Sequence, residues 1–377
     1  MTSVALAPVP SPRKARSLGR ELVELLAVGG VVVLLFPLSW VVRALFGLDE
    51  SEYWTGFTFH YAAHLINDPH FAVTYLLFYR DARHRAFGEA FAPAQRARYL
   101  VAGVLVPLAL GAWALTALLA GSAPLLGLMI QLMFLLVGWH YAKQGFGVMT
   151  VLSARRGVRY SDLERRVILA HGYAGWAYAW ASPYDPGREL VEKGVVYTSL
   201  AHPPGLELVS LVVFVATAVA LSVVLIAKWR RERRLPIATP LAGLLFGVWS
   251  LAFLTSIDPL VRYAIPALHS VQYLYFVALL RGNEAREREQ EPYFEAPAGQ
   301  RLATLAFAAI ALGFVLFDLA PLALDGAAAS LRPRSATDPL GATPWFAALY
   351  CFVNLHHYAM DAVIWRRDNP ETRYLLD

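Results

Sequence analysis

The chain has 377 residues, 57% of them hydrophobic and only 16% charged, with a mean hydropathy of +0.46 and a formal net charge of +5. A soluble domain carries roughly 25% charged residues, so the composition excludes an ordinary soluble globule. Its single cysteine, Cys351, excludes a disulfide framework and any cysteine-based zinc or iron–sulfur site within one chain.

Repeated apolar runs of about 20 residues predict an all-α integral membrane bundle of about ten transmembrane helices. Residues 1–18 are rich in Pro, Ser and Arg and read as a disordered tail rather than a cleaved signal peptide. Residues 19–368 form the transmembrane domain, and 369–377 a second tail. The expected spans are 22–46, 56–79, 99–119, 125–152, 167–182, 208–227, 241–257, 260–280, 302–322 and 343–365. Turn residues such as Tyr184-Asp185-Pro186-Gly187 and His202-Pro203-Pro204-Gly205 mark the loop after the fifth span. Residues 325–342 read as a polar loop.

The basic residues that raise the pI to about 9.2 lie in alternate loops. They occupy the N-terminal tail, the loops near 80–98, 155–166, 228–234 and 281–301, and the C-terminal tail. That pattern is a topology signal rather than a nucleic-acid patch, and it places both termini in the cytoplasm of what is read as a bacterial inner membrane. Spans two, four, eight and ten then all run from outside to inside.

Those four spans carry polar groups that are costly in a bilayer, and such groups usually face a protein interior and serve a function there. The second holds His60, His64, Asp68 and His70, with Pro69 able to kink it. The fourth holds His140, Lys143 and Gln144, and the eighth His269 and Gln272. The tenth holds Asn354, His356, His357 and Asp361. On a helix Asn354, His357 and Asp361 share a narrow arc, whereas adjacent His356 and His357 point about 100° apart. The i, i+4 spacing of His60 and His64 allows both to reach one metal. At 1.5 Å rise per residue, the depths of the four groups overlap near mid-bilayer.

Imidazole suits iron, zinc, copper and nickel, and a carboxylate adds compensating charge. The expected metal ligands are therefore His60, His64, Asp68, His70, His140, His269, His356, His357 and Asp361. Gln144, Gln272 and Asn354 are expected to orient them. Lys143, grouped with these three as an expected catalytic residue, is neutral, pairs with Asp68 or Asp361, or holds an anionic substrate head group. His84 and His202 fall in loops, and membership of His171 in the site is open.

The stretches Asn67-Asp68-Pro69-His70-Phe71, Trp139-His140-Tyr141-Ala142-Lys143-Gln144, His269-Ser270-Val271-Gln272-Tyr273 and His356-His357-Tyr358-Ala359-Met360-Asp361 resemble an uncharacterised group of bacterial polytopic membrane proteins. That resemblance brings no activity with it. In style the dispersed histidines are distantly similar to two characterised families. One is the histidine-box membrane desaturases and hydroxylases; His60–His64 matches their HxxxH box, but Val353 breaks the HxxHH box. The other is the Brp/Blh-type carotenoid dioxygenases, which draw the histidines for one iron from several spans.

These readings lead to a metal-dependent oxidoreductase, with non-haem iron as the expected cofactor and a fatty acyl chain, sterol or polyene as the lipid-phase substrate. Without a flavin or nicotinamide signature, electrons would come from a separate donor protein. Two alternatives use the same groups: a transporter or channel relaying protons or binding solute at the midplane, and a bis-histidine haem protein.

Overall fold

The computed structural model describes residues 18–89, 91–181, 187–233, 238–254, 257–331 and 338–376. Residues 1–17 of the expected tail, Tyr184-Asp185-Pro186, Arg234, part of the expected 325–342 loop and Asp377 lie outside the described residues. Apart from turns and loops, the described residues are helical except for one antiparallel hairpin, β1 (Glu189–Glu192) and β2 (Val195–Thr198).

A few helices start at side-chain caps, and most of the described ones begin without such a hydrogen bond. The first helix, α1 (Leu18–Leu25), runs through a π-turn at Leu26–Gly30 into α2 (Val32–Phe46), and the two are bent by 69°. Gly29 takes φ 105° at the bend, which glycine alone adopts easily, and its Cα faces Phe246. Next come α3 (Leu48–Ala63), α4 (Asn67–Tyr79) and the short α5 (Ala82–Phe87). Pro93 in the first turn of α6 (Pro93–Leu100) leads through a second π-turn into α7 (Val106–Leu119). Ser122 caps α8 (Ala123–Arg155) by accepting from Leu125 N at 3.4 Å. A capping box opens α9 (Asp162–Ala181): Glu164 accepts from Ser161 N at 2.8 Å while Ser161 Oγ accepts from Glu164 N at 3.3 Å.

After the hairpin follow α10 (Leu206–Glu232) and α11 (Ala238–Trp249). Asp258 accepts from Leu260 N and Val261 N at the start of α12 (Val261–Glu289). A π-turn at Val315–Leu319 joins α13 (Ala298–Phe314) to α14 (Ala320–Leu331), and α15 (Pro344–Ile364) is the last long helix.

Five of the described helical stretches are long and apolar enough to cross a membrane, six if the bent α1–α2 pair is one span. This supports a membrane protein but corrects the expected ten spans. The second expected span is broken: α3 stops at Ala63 and α4 restarts at Asn67, where Pro69 fits the first turn of a new helix. The seventh is a short helix, Ala238–Ala252. The fifth and tenth, α9 and α15, are long but too polar to pass as lipid-facing helices.

Burial explains the division. In their most apolar stretches α8 and α12 are each 56% buried, against 17–22% for Pro93–Leu119, Leu206–Glu232 and Ala298–Ser330. The latter three present open apolar faces, such as Val212, Val215 and Val219 on α10, as lipid contact requires. Polar helices α4 and α15 pack with α8 and α12 inside that shell.

The loops sort to two ends. At one end Arg85, buried at 2% exposure, donates to the carbonyls of Leu77 and Phe78 and to both oxygens of Glu371. Arg98 pairs with Asp368, Arg80 with Glu284, Arg373 with Glu287, and Arg156 with Glu21 and Glu24. The basic stretches expected on one side therefore meet one another. At the other end Arg262 binds Glu52, and Val196 N donates to Pro339 O.

Candidate metal centre

Four imidazoles from four helices meet in the core: His70 of α4, His140 of α8, His269 of α12 and His357 of α15. They are 1%, 4%, 3% and 0% exposed. Ring centroids lie 4.5 Å apart for His70–His357, 5.0 Å for His140–His357, 4.9 Å for His140–His269 and 5.2 Å for His70–His269. His70, His140 and His357 each offer a nitrogen within 4.8 Å of the other two. His140 Nε2 and His269 Nε2 are 3.1 Å apart. Two nitrogens bound to one metal at about 2.1 Å lie about 3 Å apart when they are neighbouring ligands, so this separation suits joint coordination.

Each ring is held from behind. Tyr141 stacks on His269 at 3.7 Å and 12° between planes, and Tyr358 stacks on His140 at 4.9 Å. Ser270 Oγ lies 3.1 Å from His70 Nδ1, which directs His70 Nε2 inward. Asp361 sits alongside: its Oδ2 is 3.4 Å from His357 Nε2 and 3.7 Å from His140 Nδ1. Its Oδ1 accepts from Tyr273 OH at 2.7 Å and from Trp365 Nε1 at 3.3 Å. Thr74 Oγ1 is 2.6 Å from the same Tyr273 hydroxyl.

The four-ring group is nevertheless underbonded. His70 Nε2, His269 Nδ1 and both nitrogens of His357 are buried without a hydrogen-bond partner. An orphaned buried polar atom costs about 1–3 kcal/mol, so several together are unfavourable unless something takes up their lone pairs. A metal ion held by His70 Nε2 and by one nitrogen of His357 would take up a lone pair on each of those two rings, and the donor set fits one.

The other expected site residues fall elsewhere. His356 turns away from the group, with Nδ1 3.1 Å from Tyr75 OH and Nε2 3.0 Å from Ala102 O. His60 is exposed on α3, with its ring 6.0 Å from that of His64. His64 and Asp68 pair with each other at 3.1 Å, apart from the four histidines.

Gln144 and Gln272 tie helices rather than histidine nitrogens. Gln144 Nε2 donates to Gln272 Oε1 at 2.7 Å and to His269 O at 3.2 Å. Gln272 Nε2 donates to Val28 O, a carbonyl of the first π-turn, at 2.6 Å. Asn354 accepts from Tyr358 OH at 3.2 Å and so steadies the ring stacked on His140. Among the described residues Lys143 pairs with neither Asp68 nor Asp361; its ammonium lies 5.9 Å over the Phe146 ring. His171 is held by Thr217 and Trp249, remote in contact from the group.

Sequence reasoning gave no role to Ser270, Tyr273, Thr74 or Tyr358, and it passed over Asp318. The last could have been found, because an acid inside an apolar run is itself a signal. Comparison with protein-family models, with curated proteins and with solved structures finds no match to this chain.

Proposed function

We propose that the four histidines hold a catalytic transition-metal ion and that the protein is a membrane oxidoreductase acting on a lipid-phase substrate. The reading is carried by one observation: four buried imidazoles converge from four helices, and nitrogens on three of them, His70, His269 and His357, are left without a hydrogen-bond partner. An all-nitrogen set without cysteine suits iron, zinc, copper or nickel, and iron with an open position supplies dioxygen activation. Non-haem iron is the metal we assign. His70 and His140 lie within 6.3 Å of each other and each lies within 5.2 Å of His269 and of His357 by centroid, with Tyr141, Tyr358 and Phe71 flanking the group. That packing favours a bare ion over a porphyrin.

The chain's own residues then have separable tasks. His70, His140, His269 and His357 bind, and Ser270 fixes which nitrogen His70 presents. Asp361 would balance the charge of the ion, and Tyr273 and Thr74 hold it in a buried hydrogen-bonded chain that closes back on the His70 carbonyl. The surrounding aromatic rings exclude water and favour an apolar substrate such as an acyl chain, sterol or polyene. Electrons are assigned to a separate donor protein. The basic loops that gather at one end support an inner-membrane orientation with both termini in the cytoplasm.

Elemental analysis and an optical spectrum of the purified protein test the reading. Stoichiometric iron without a Soret band is expected. A Soret band would move the site to haem. Absence of any transition metal after metal-replete expression would leave the histidines to a proton or solute pathway.

A further inference from the structure

A second polar group lies just ahead of His70 in the chain and involves a residue from a distant helix. Asp68 Oδ2 is 3.1 Å and Asp318 Oδ2 is 3.4 Å from the same atom, His64 Nδ1. One donor atom from each residue lies within 4.8 Å of the other two. A single N–H cannot point at two carboxylates, and Asp318 Oδ2 is left buried without a hydrogen-bond partner. Two carboxylates this close repel unless a cation lies between them.

The backbone is shaped to bring the three together. His64 stands at the break that ends α3, and Asp68 in the first turn of α4. Asp318 lies in the π-turn at Val315–Leu319, a distortion that recurs at functional sites. Gly313 lets α13 touch α4: a Cβ there would sit 2.8 Å from the Asp68 carbonyl carbon. The His64, Asp68 and Asp318 side chains are 37%, 10% and 31% exposed, so an ion has access.

We propose that His64, Asp68 and Asp318 form a second divalent-cation site, distinct from the four-histidine centre. With two carboxylates and one imidazole it takes harder cations, Mn(II) or Fe(II), in preference to softer ones. The Phe71 ring, 4.8 Å from His357 and 5.3 Å from Phe317, stands between the two groups. The site requires nothing of the histidine centre's chemistry.

The test is Mn(II) titration of the full-length, metal-stripped protein in detergent, with free Mn(II) read by electron paramagnetic resonance. One saturable Mn(II) per chain is expected in the parent and in His140→Ala. Both Asp318→Asn and His64→Gln should weaken it at least tenfold. Gel filtration reports whether each variant is folded, and partly exposed His64 serves if Asp318→Asn fails that check. No saturable Mn(II) in the parent overturns the proposal. So does equal binding in both variants, or loss on His140→Ala with retention in Asp318→Asn.

Discussion

Ser270→Ala removes one oxygen atom and, with it, the side-chain hydrogen bond that fixes His70. The position is only 2% exposed, and alanine is smaller than serine, so nothing clashes. The lost contact is the 3.1 Å bond to His70 Nδ1, a neutral pair with a net worth of about 0.5–1.5 kcal/mol. Its larger effect is on the ring, which becomes free to change tautomer or rotate. Partners of this kind typically contribute 10- to 100-fold to metal affinity, about 1.4–2.8 kcal/mol at 1.4 kcal/mol per decade. Competition against a chelator of known affinity measures it. The expected order is parent, then Ser270→Ala 10- to 100-fold weaker, then His70→Ala weaker still. Affinity in Ser270→Ala within twofold of the parent would refute the role given to this hydroxyl. An unchanged affinity in His70→Ala would refute the site itself.

His140→Ala and His357→Ala should each lose the bound metal while remaining monodisperse in detergent, as read by elemental analysis across a gel-filtration peak. His356→Ala should keep the metal, yet lower thermal stability by about 1–3 kcal/mol because it orphans the buried Ala102 carbonyl. Gly313→Ala forces a Cβ to 2.8 Å from the Asp68 backbone; it should cost about 1–3 kcal/mol in a melt and weaken Mn(II) binding more than iron binding. Arg85→Met strands Glu371 and two carbonyls at one end of the bundle, with an expected loss of about 3–5 kcal/mol in denaturant titration.

The helical class and the four histidine-bearing segments were legible because ionisable groups stand out against apolar runs. Direction was only half legible. Adjacent His356 and His357 had to diverge by about 100°, but which of them faced inward depended on Tyr75 and Ala102, contributed by other helices. Span counting failed where polarity reflects burial inside protein rather than exposure to water. Helix α15 carries Asn354, His357 and Asp361 and is sheltered by its neighbours, so hydropathy alone does not describe its setting. The break at 64–66 is written in Asn67-Asp68-Pro69, a sequence that starts helices as readily as it kinks them. Asp318 belongs with His64 only through the seating of α13 against α4, and that register is set by the missing side chain of Gly313.

The order of the ligands along the chain has a bearing on biogenesis. His70 is made early, His140 and His269 follow, and His357 is made last of the four, 287 residues after His70. Synthesis at about 5–20 residues per second puts more than ten seconds between the first of these and the last. Until α15 is made, His70 stands in a bundle that lacks His357 and the Asp361 beside it. On the reading proposed above, the centre is complete only once α15 is in place, and a chain cut short before α15 would lack His357 and should not acquire the metal.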